Sequence, residues 1–214
     1  MRQHDAIVLI GPTGSGKTPL GEALAREGLW GRACRHFDFG RRLREAVDLQ
    51  PAPPWLSGEQ VEFLRSVLAR GALLEDEHFP IAAAILGAFV AGGEGLIVLN
   101  GLPRHAGQAE AVEGIVAVRA AVELSCPDDV VLERIRTDAG GDRAGRIDDD
   151  EAFVRRKLAI FAERTAALRD HYRARGTAVL MLPVTAGTTA DDARRALLAR
   201  PCPLDDAPPG DETC

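Results

Sequence analysis

The 214-residue chain has few cysteines, and their spacing excludes the common cysteine-based modules. Its four cysteines form no C-x-x-C pair and have no histidine at metal-ligand spacing, so we expect no zinc site. No apolar run approaches the ~20 residues of a membrane-spanning helix, and no secretory signal is readable at the N-terminus. These absences favour a soluble protein in a reducing, cytoplasmic setting.

The chain also lacks an excess of positive charge. Lys and Arg number 26 against 32 Asp and Glu, which gives a formal charge of −6 at pH 7. This balance argues against binding to nucleic acid or to an anionic membrane through bulk electrostatics, so any phosphate site must be local. The composition is otherwise globular, with 46% hydrophobic and 27% charged residues, and the length suits one α/β core.

Short apolar runs alternate with helical patterns along the chain. The runs predict buried parallel strands at Ala6–Ile10, Gly95–Leu99, Ala120–Ser125 and Thr177–Leu182, with a further, more charged strand near Arg35–Phe39. Helices are predicted at Lys17–Glu27, Glu59–Arg70, Phe79–Ala91, Gly107–Ala117, Asp128–Arg136, Glu151–Arg175 and Thr189–Ala199. This alternation predicts an α/β fold with a parallel sheet covered on both faces, a three-layer α/β/α sandwich.

The most specific motif follows the first predicted strand. The motif GPTGSGKT, which begins at Gly11, is a full match to G-x-x-x-x-G-K-[ST] between a strand and a helix and predicts a phosphate-binding P-loop. Gly11, Gly14 and Gly16 let backbone N–H groups face an anion at the positive end of the helix. Lys17 adds a charge for the β- and γ-phosphates, and Thr18 offers a hydroxyl to Mg²⁺.

Further motifs resemble those of adenylate kinase and the related nucleoside monophosphate kinases, in the same order and from the P-loop to about residue 199. The segment FDFGRRLRE resembles the family's G-D-x-L-R stretch, and NGLPRHAGQ its D-G-F-P-R-x-x-x-Q motif. CPDDVVLER resembles its P-x-x-x-x-x-x-R stretch, and GRIDD its G-R-x-D-D lid motif. The segment before GRIDD has neither cysteine nor histidine, which is similar to the family's short lid without zinc.

The resemblance implies a kinase that uses ATP and Mg²⁺ to phosphorylate a nucleoside monophosphate, giving ADP and a nucleoside diphosphate. It implies one P-loop kinase domain over residues 1–200, with a helical monophosphate-binding insertion at about 36–75 and a lid at about 136–148. Residues 201–214 are rich in proline and acidic residues, and we expect a disordered tail there. We expect a monomer whose partners are ATP and the monophosphate.

The resemblance also implies roles for individual residues, mainly arginines, because phosphoryl transfer requires positioning and positive charge. The implied catalytic residues are Lys17, Arg104, Arg146 and Lys157. The implied ATP-binding residues are Gly11, Gly14, Ser15, Gly16, Lys17, Thr18 and Arg134, of which Arg134 packs on the adenine. The implied acceptor site contains Phe39, Gly40, Arg44, Gly101, Arg104 and Gln108, of which Gln108 reads the base, and Mg²⁺ is assigned to Thr18 and Asn100.

Several residues depart from the family pattern near the expected chemical centre. Asn100 replaces a strand-end aspartate, so we expect weaker help with Mg²⁺, unless the amide only bonds the P-loop backbone. Phe39 replaces a hydroxyl residue that touches the acceptor base, and we expect it to stack on or crowd that base and to relax selectivity. Arg41 replaces the aspartate of G-D-x-L-R, Asp138 replaces a lid arginine, and Lys157 keeps a charge without the guanidinium fork.

These departures leave three functional hypotheses open. The first is a nucleoside monophosphate kinase with altered substrate preference, which the complete P-loop and the remaining arginines favour. The second is a nucleotide-binding homologue with little catalysis that acts as a switch or interaction module. The third is a P-loop kinase of another small molecule, phosphorylated or hydroxylated.

Overall fold

A parallel β-sheet forms the centre of this computed structural model, which describes residues 3–49, 51, 53–70, 74–141 and 151–204. Within those ranges the sheet has five strands in the order β2-β3-β1-β4-β5. They are β1 (His4–Ile10), β2 (Cys34–Asp38), β3 (Leu96–Asn100), β4 (Val116–Ser125) and β5 (Ala178–Pro183). The strands pair in parallel throughout, so the predicted parallel sheet is confirmed.

Helices connect the strands in the predicted alternation. They are α1 (Lys17–Glu27), α2 (Phe39–Asp48), α3 (Gly58–Arg70), α4 (Phe79–Ala91), α5 (Ala106–Glu113), α6 (Asp128–Arg136), α7 (Glu151–Ile160), α8 (Leu168–Ala174) and α9 (Ala190–Leu198). A 3₁₀ turn (Asp76–His78) precedes α4, and a π-helical turn (Phe161–Thr165) separates α7 from α8. In the part of the chain that the structure describes, no helix has the length and apolarity needed to cross a membrane.

Hydrophobic side chains cover both faces of the sheet. On one face, Ile7 and Val98 pack with Leu20 and Leu24 of α1 and with Leu197 of α9. On the other face, alternate residues of the same strands pack with helices α2 to α5 and with α8. Because both faces are buried, the central strands consist of nearly unbroken apolar residues, and the predicted α/β/α sandwich is confirmed.

The helix α2 lies within the predicted helical insertion but was not predicted as an individual helix. It begins directly after β2 because Asp38 caps its N-terminus, where the carboxylate accepts a hydrogen bond of 2.9 Å from the Arg41 backbone N–H. Its buried residues Leu43, Ala46 and Val47 recur on one face, which packs into the core. The helical part of the predicted insertion therefore begins at Phe39, after the end of an edge strand of the sheet.

Two other predicted helices have different boundaries. The helix predicted over Gly107–Ala117 ends at Glu113, because Val116 already belongs to β4 and pairs with β1. The long helix predicted over Glu151–Arg175 is interrupted by the π-helical turn. The whole GRIDD lid motif, residues 145–149, and residues 205–214 of the predicted tail fall outside the described residues.

Candidate active site

The P-loop joins β1 to α1 at the carboxyl edge of the sheet. Gly14 and Gly16 adopt φ values of +77° and +94°, which L side chains rarely adopt. A Cβ atom on Gly14 would also lie 2.9 Å from the Ile135 side chain of α6. The loop therefore requires glycine at both positions, both for its turn and for its close approach to α6.

Two P-loop side chains point at anion-binding positions. The Lys17 ammonium donates to the Gly11 and Pro12 carbonyls, each at 2.7 Å, so it lies over its own loop. The Ser15 hydroxyl is buried and has no hydrogen-bond partner among the described residues. A buried hydroxyl without a partner is costly, and a phosphate oxygen in the loop would supply one.

Three polar side chains meet beside the P-loop at the ends of β2, β3 and the start of α1. The Thr18 hydroxyl donates to Asp38 Oδ2 at 2.9 Å, and Asn100 Nδ2 lies 3.0 Å from both Thr18 Oγ1 and Asp38 Oδ2. Burial works to raise the pKa of Asp38, but the hydrogen bonds from the Arg41 N–H and from Thr18 leave it below its usual range. The sequence assigned Asn100 to Mg²⁺, with bonding to the P-loop backbone as the alternative; in the structure its amide bonds the side chains of Thr18 and Asp38.

This donor set fits Mg²⁺. A hard cation prefers oxygen ligands and is commonly held by one or two protein oxygens together with substrate phosphates. Thr18 offers a hydroxyl oxygen and Asp38 a carboxylate beside the phosphate-binding loop. When bound, Mg²⁺ would offset the charge that develops on the transferring phosphoryl group.

Cationic side chains line one cavity together with the P-loop. Arg44 of α2, Arg104 after β3 and Lys157 of α7 line the cavity together with Lys17. Burial lowers the pKa of the Arg104 guanidinium, an effect that the nearby Asp38 carboxylate opposes, and a guanidinium stays charged in proteins. The lining residues are Leu9, Gly11, Thr13, Gly14, Gly16, Lys17, Thr18, Asp38, Gly40, Arg44, Asn100, Gly101, Pro103, Arg104, Lys157, Ile160, Phe161 and Thr165.

Two residues that the sequence assigns to the acceptor base lie elsewhere. The Gln108 side chain is 1% exposed; its amide oxygen accepts from the Arg104 N–H at 2.9 Å, and its amide nitrogen donates to the Leu74 carbonyl. Phe39 is 6% exposed and packs in the core beside Phe37. Neither side chain is among those that line the cavity, so in this conformation both support its wall from behind.

Arg134 fixes the wall of a second cavity on the other side of the P-loop. Its guanidinium donates to the carbonyl oxygens of Gly14 (3.0 Å), Thr185 (2.8 Å), Ala186 (3.1 Å) and Thr188 (2.9 Å), and the side chain is buried. These bonds join the P-loop to the loop between β5 and α9. The cavity is lined by Ser15, Gly16, Pro19, Arg26, Leu124, Arg134, Ala139, Gly140, Val184, Thr188, Thr189, Ala190, Asp191 and Ala193.

The sequence-based site and the structural site overlap in most of their residues. The P-loop, Gly40, Arg44, Asn100, Gly101, Arg104 and Lys157 come together, whereas Arg146 lies outside the described residues. The sequence missed Asp38 and the π-helical residues Phe161 and Thr165. A carboxylate at the end of a predicted strand could have indicated Asp38, but nothing in the sequence marks a π-helical turn.

Comparisons with known proteins find a matching family model and similar adenylate kinases. The family described as AAA domain matches residues 7–155. An adenylate kinase of Synechococcus sp. (strain CC9311) is 35% identical over 177 residues, covering 79% of this chain and 85% of that protein. An adenylate kinase of Deinococcus deserti is 31% identical over 185 residues, covering 81% and 86%.

A solved structure, a gluconokinase from Sinorhizobium meliloti 1021, shares the fold at a TM-score of 0.55 and 20% identity, covering 93% of this chain and 92% of that one. The fold, the P-loop and these relatives define an ATP-using phosphotransferase of the P-loop class. Within that class, the chain belongs to the adenylate kinase family.

Proposed function

We propose that this protein transfers the γ-phosphoryl group of MgATP to a nucleoside monophosphate. The observation that carries the proposal is one cavity that the P-loop lines together with Arg44, Arg104 and Lys157. Guanidinium forks suit the two oxygens of an acceptor phosphate, and the distribution of cations around the cavity suits a transition state whose charge is spread over phosphoryl oxygens. Use of ATP also fits the cytoplasmic location that the sequence predicts.

The proposed step needs no catalytic base. An oxygen of the acceptor phosphate attacks the γ-phosphorus, the bond from that phosphorus to the β,γ-bridging oxygen breaks, and ADP leaves with the electron pair. Because the acceptor oxygen is already anionic, no proton has to be removed. Lys17, Arg104 and Lys157 would hold the phosphates, while Arg134 and the second cavity would hold the adenine of ATP.

A second candidate is phosphorylation of a hydroxyl group, which the sequence left open as part of the third hypothesis. It is favoured by Asp38, a carboxylate that lines the cavity and could receive a hydroxyl proton. The lowered pKa of Asp38 makes it a weak base at neutral pH, so the phosphate acceptor remains our preferred proposal.

The test is an ADP-release assay against two panels, one of nucleoside monophosphates and one of sugar acids and polyols, with binding measured in parallel. We expect turnover with one or more monophosphates and none with the hydroxyl panel. Arg104→Ala should lower kcat/KM for the monophosphate about 10–100-fold while leaving ATP affinity nearly unchanged. Turnover only with hydroxyl acceptors would establish the second candidate, and binding without turnover would indicate a nucleotide-dependent switch.

A further inference from the structure

We propose that Asp38, at the end of β2, supplies the carboxylate of the Mg²⁺ site, and that Asn100 is a positioning residue that holds Asp38 and Thr18 together. The family pattern places this carboxylate at the end of β3, where this chain has Asn100. The inference depends on ATP binding at the P-loop and does not depend on which acceptor the protein uses.

The register of the sheet places the two residues side by side. Asp38 and Asn100 are paired positions at the carboxyl ends of the neighbouring parallel strands β2 and β3. A carboxylate moved from one position to the other therefore stays at the same edge of the sheet, next to the P-loop. In the described part of the cavity lining, Asp38 is the only acidic side chain.

The hydrogen bonds determine which group each side chain presents. An ionised carboxylate can only accept, so both Thr18 and Asn100 must act as donors toward Asp38 Oδ2. Since the Thr18 proton is given to Asp38, Thr18 Oγ1 accepts from the amide nitrogen of Asn100 at 3.0 Å. Asn100 therefore presents a donor to this cluster, and a cation is not bound by an N–H group.

The same bonds prepare Thr18 for a cation. Its oxygen has two lone pairs, of which Asn100 occupies one, and the other is directed away from both protein partners. The Asp38 carboxylate adds a negative charge 2.9 Å from that oxygen. A hydroxyl oxygen backed by one carboxylate, with phosphate oxygens of ATP completing the shell, matches the way Mg²⁺ is usually held at nucleotide sites.

Asp38→Asn removes the charge; with its amide oxygen on the Arg41 N–H, its amide nitrogen faces Asn100, whose amide must turn to accept from it. Asparagine is as good an N-cap as aspartate, so the cap on α2 is retained, whereas the carboxylate is lost. Asp38→Ser provides a second uncharged variant that also keeps a capping group. The double variant Asp38→Asn/Asn100→Asp exchanges amide and carboxylate across the strand pair and returns the charge to β3.

The experiment measures by calorimetry the affinity of each variant for a non-hydrolysable ATP analogue, first without metal and then over a Mg²⁺ titration. In a second measurement, electron paramagnetic resonance follows the binding of Mn²⁺ to the complex of protein and nucleotide. In the wild type, we expect Mg²⁺ to tighten binding. In Asp38→Asn and Asp38→Ser, this enhancement should fall by about 10-fold or more, with metal-free affinity unchanged or improved. The double variant should recover most of the enhancement. Asp170→Asn, which removes an exposed carboxylate on α8, is the matched control and should behave as wild type.

Thermal unfolding of each variant separates loss of metal from loss of fold. The proposal is overturned if the uncharged variants keep the wild-type response to Mg²⁺, or if the wild type shows no response. It is also overturned if the double variant folds but recovers none of the enhancement of nucleotide affinity by Mg²⁺. Because no acceptor is present, failure of the monophosphate assay would leave this test unaffected.

Discussion

Asp38 and Asn100 are cross-strand neighbours at the mouth of the P-loop, and the Asn100 amide donates to the Asp38 carboxylate at 3.0 Å. This single contact explains why an amide can stand at a position where the family carries an acid. A carboxylate already occupies the adjacent strand, and a second one would face it across the contact. The site therefore carries one negative charge and a donor that orients it.

Restoring the family's aspartate should consequently harm this protein. In Asn100→Asp, two carboxylates would compete for one site, and Thr18 could no longer satisfy both. We expect a loss of about 1–3 kcal/mol of unfolding free energy and no improvement in Mg²⁺ response. Urea unfolding of Asn100→Asp, with Asn100→Ala as the uncharged control, measures this; a stabilised Asn100→Asp would contradict the proposed arrangement.

Gln108 should act on stability and on the placement of Arg104. Gln108→Ala would remove the partners of the Arg104 N–H and the Leu74 carbonyl, so we expect a loss of about 2–4 kcal/mol. The acceptor KM should rise through Arg104, but the ratio of kcat/KM between two monophosphates should stay the same. A changed ratio with unchanged stability would instead support base recognition by Gln108.

Phe39 should contribute to the core more than to selectivity. The ring is buried beside Phe37, so Phe39→Ala should cost about 3–5 kcal/mol, whereas Phe39→Leu should cost much less. The preference among nucleoside monophosphates should be the same in wild type and Phe39→Leu. The preference is measured as kcat/KM on the monophosphate panel. A shifted preference in the leucine variant would show that Phe39 contacts the acceptor.

His36 should make the protein sensitive to mild acid. Burial against Gly21 lowers its pKa, and both ring nitrogens lack partners among the described residues. The unfolded chain therefore binds more protons, and stability falls as the pH drops below the unfolded value of ~6.5. Between pH 7.5 and 5.5 we expect urea unfolding to show a loss of about 1 kcal/mol that His36→Leu reduces. Equal losses in both proteins would contradict this assignment.

The central sheet was predictable from the sequence because a strand that is buried on both faces consists of a short run of apolar residues. β1 contains an unbroken apolar run from Ala6 to Ile10 and β3 one from Leu96 to Leu99, and the P-loop between β1 and α1 is a contiguous motif. The edge strand β2 was harder to recognise because its polar residues have distant partners. The Arg35 guanidinium bonds carbonyl oxygens at the end of α4, His36 packs on Gly21, and Asp38 reaches Thr18.

The sequence predicted a site residue correctly where its role follows from a motif. It did not where the role depends on the direction in which the side chain points. Arg104 follows the end of a strand in a recognisable motif, and it lines the cavity as expected. Phe39 and Gln108 belong to equally recognisable motifs, but their side chains point into the core. Phe39 stands at helical spacing from the buried residues Leu43, Ala46 and Val47, which could have indicated its burial had α2 been predicted. For Gln108, the motif alone does not separate contact with the acceptor from a structural role.

Identification of the labelled product shows whether a phosphoryl group passes from ATP to a nucleoside monophosphate. The protein is incubated with ATP labelled in the γ-phosphate and with each monophosphate, and the labelled product is separated by chromatography. We predict label in the terminal phosphate of a nucleoside diphosphate, lost in Lys17→Ala. Label that remains in ATP with every monophosphate, or that appears on a hydroxyl acceptor or in inorganic phosphate, would contradict the account.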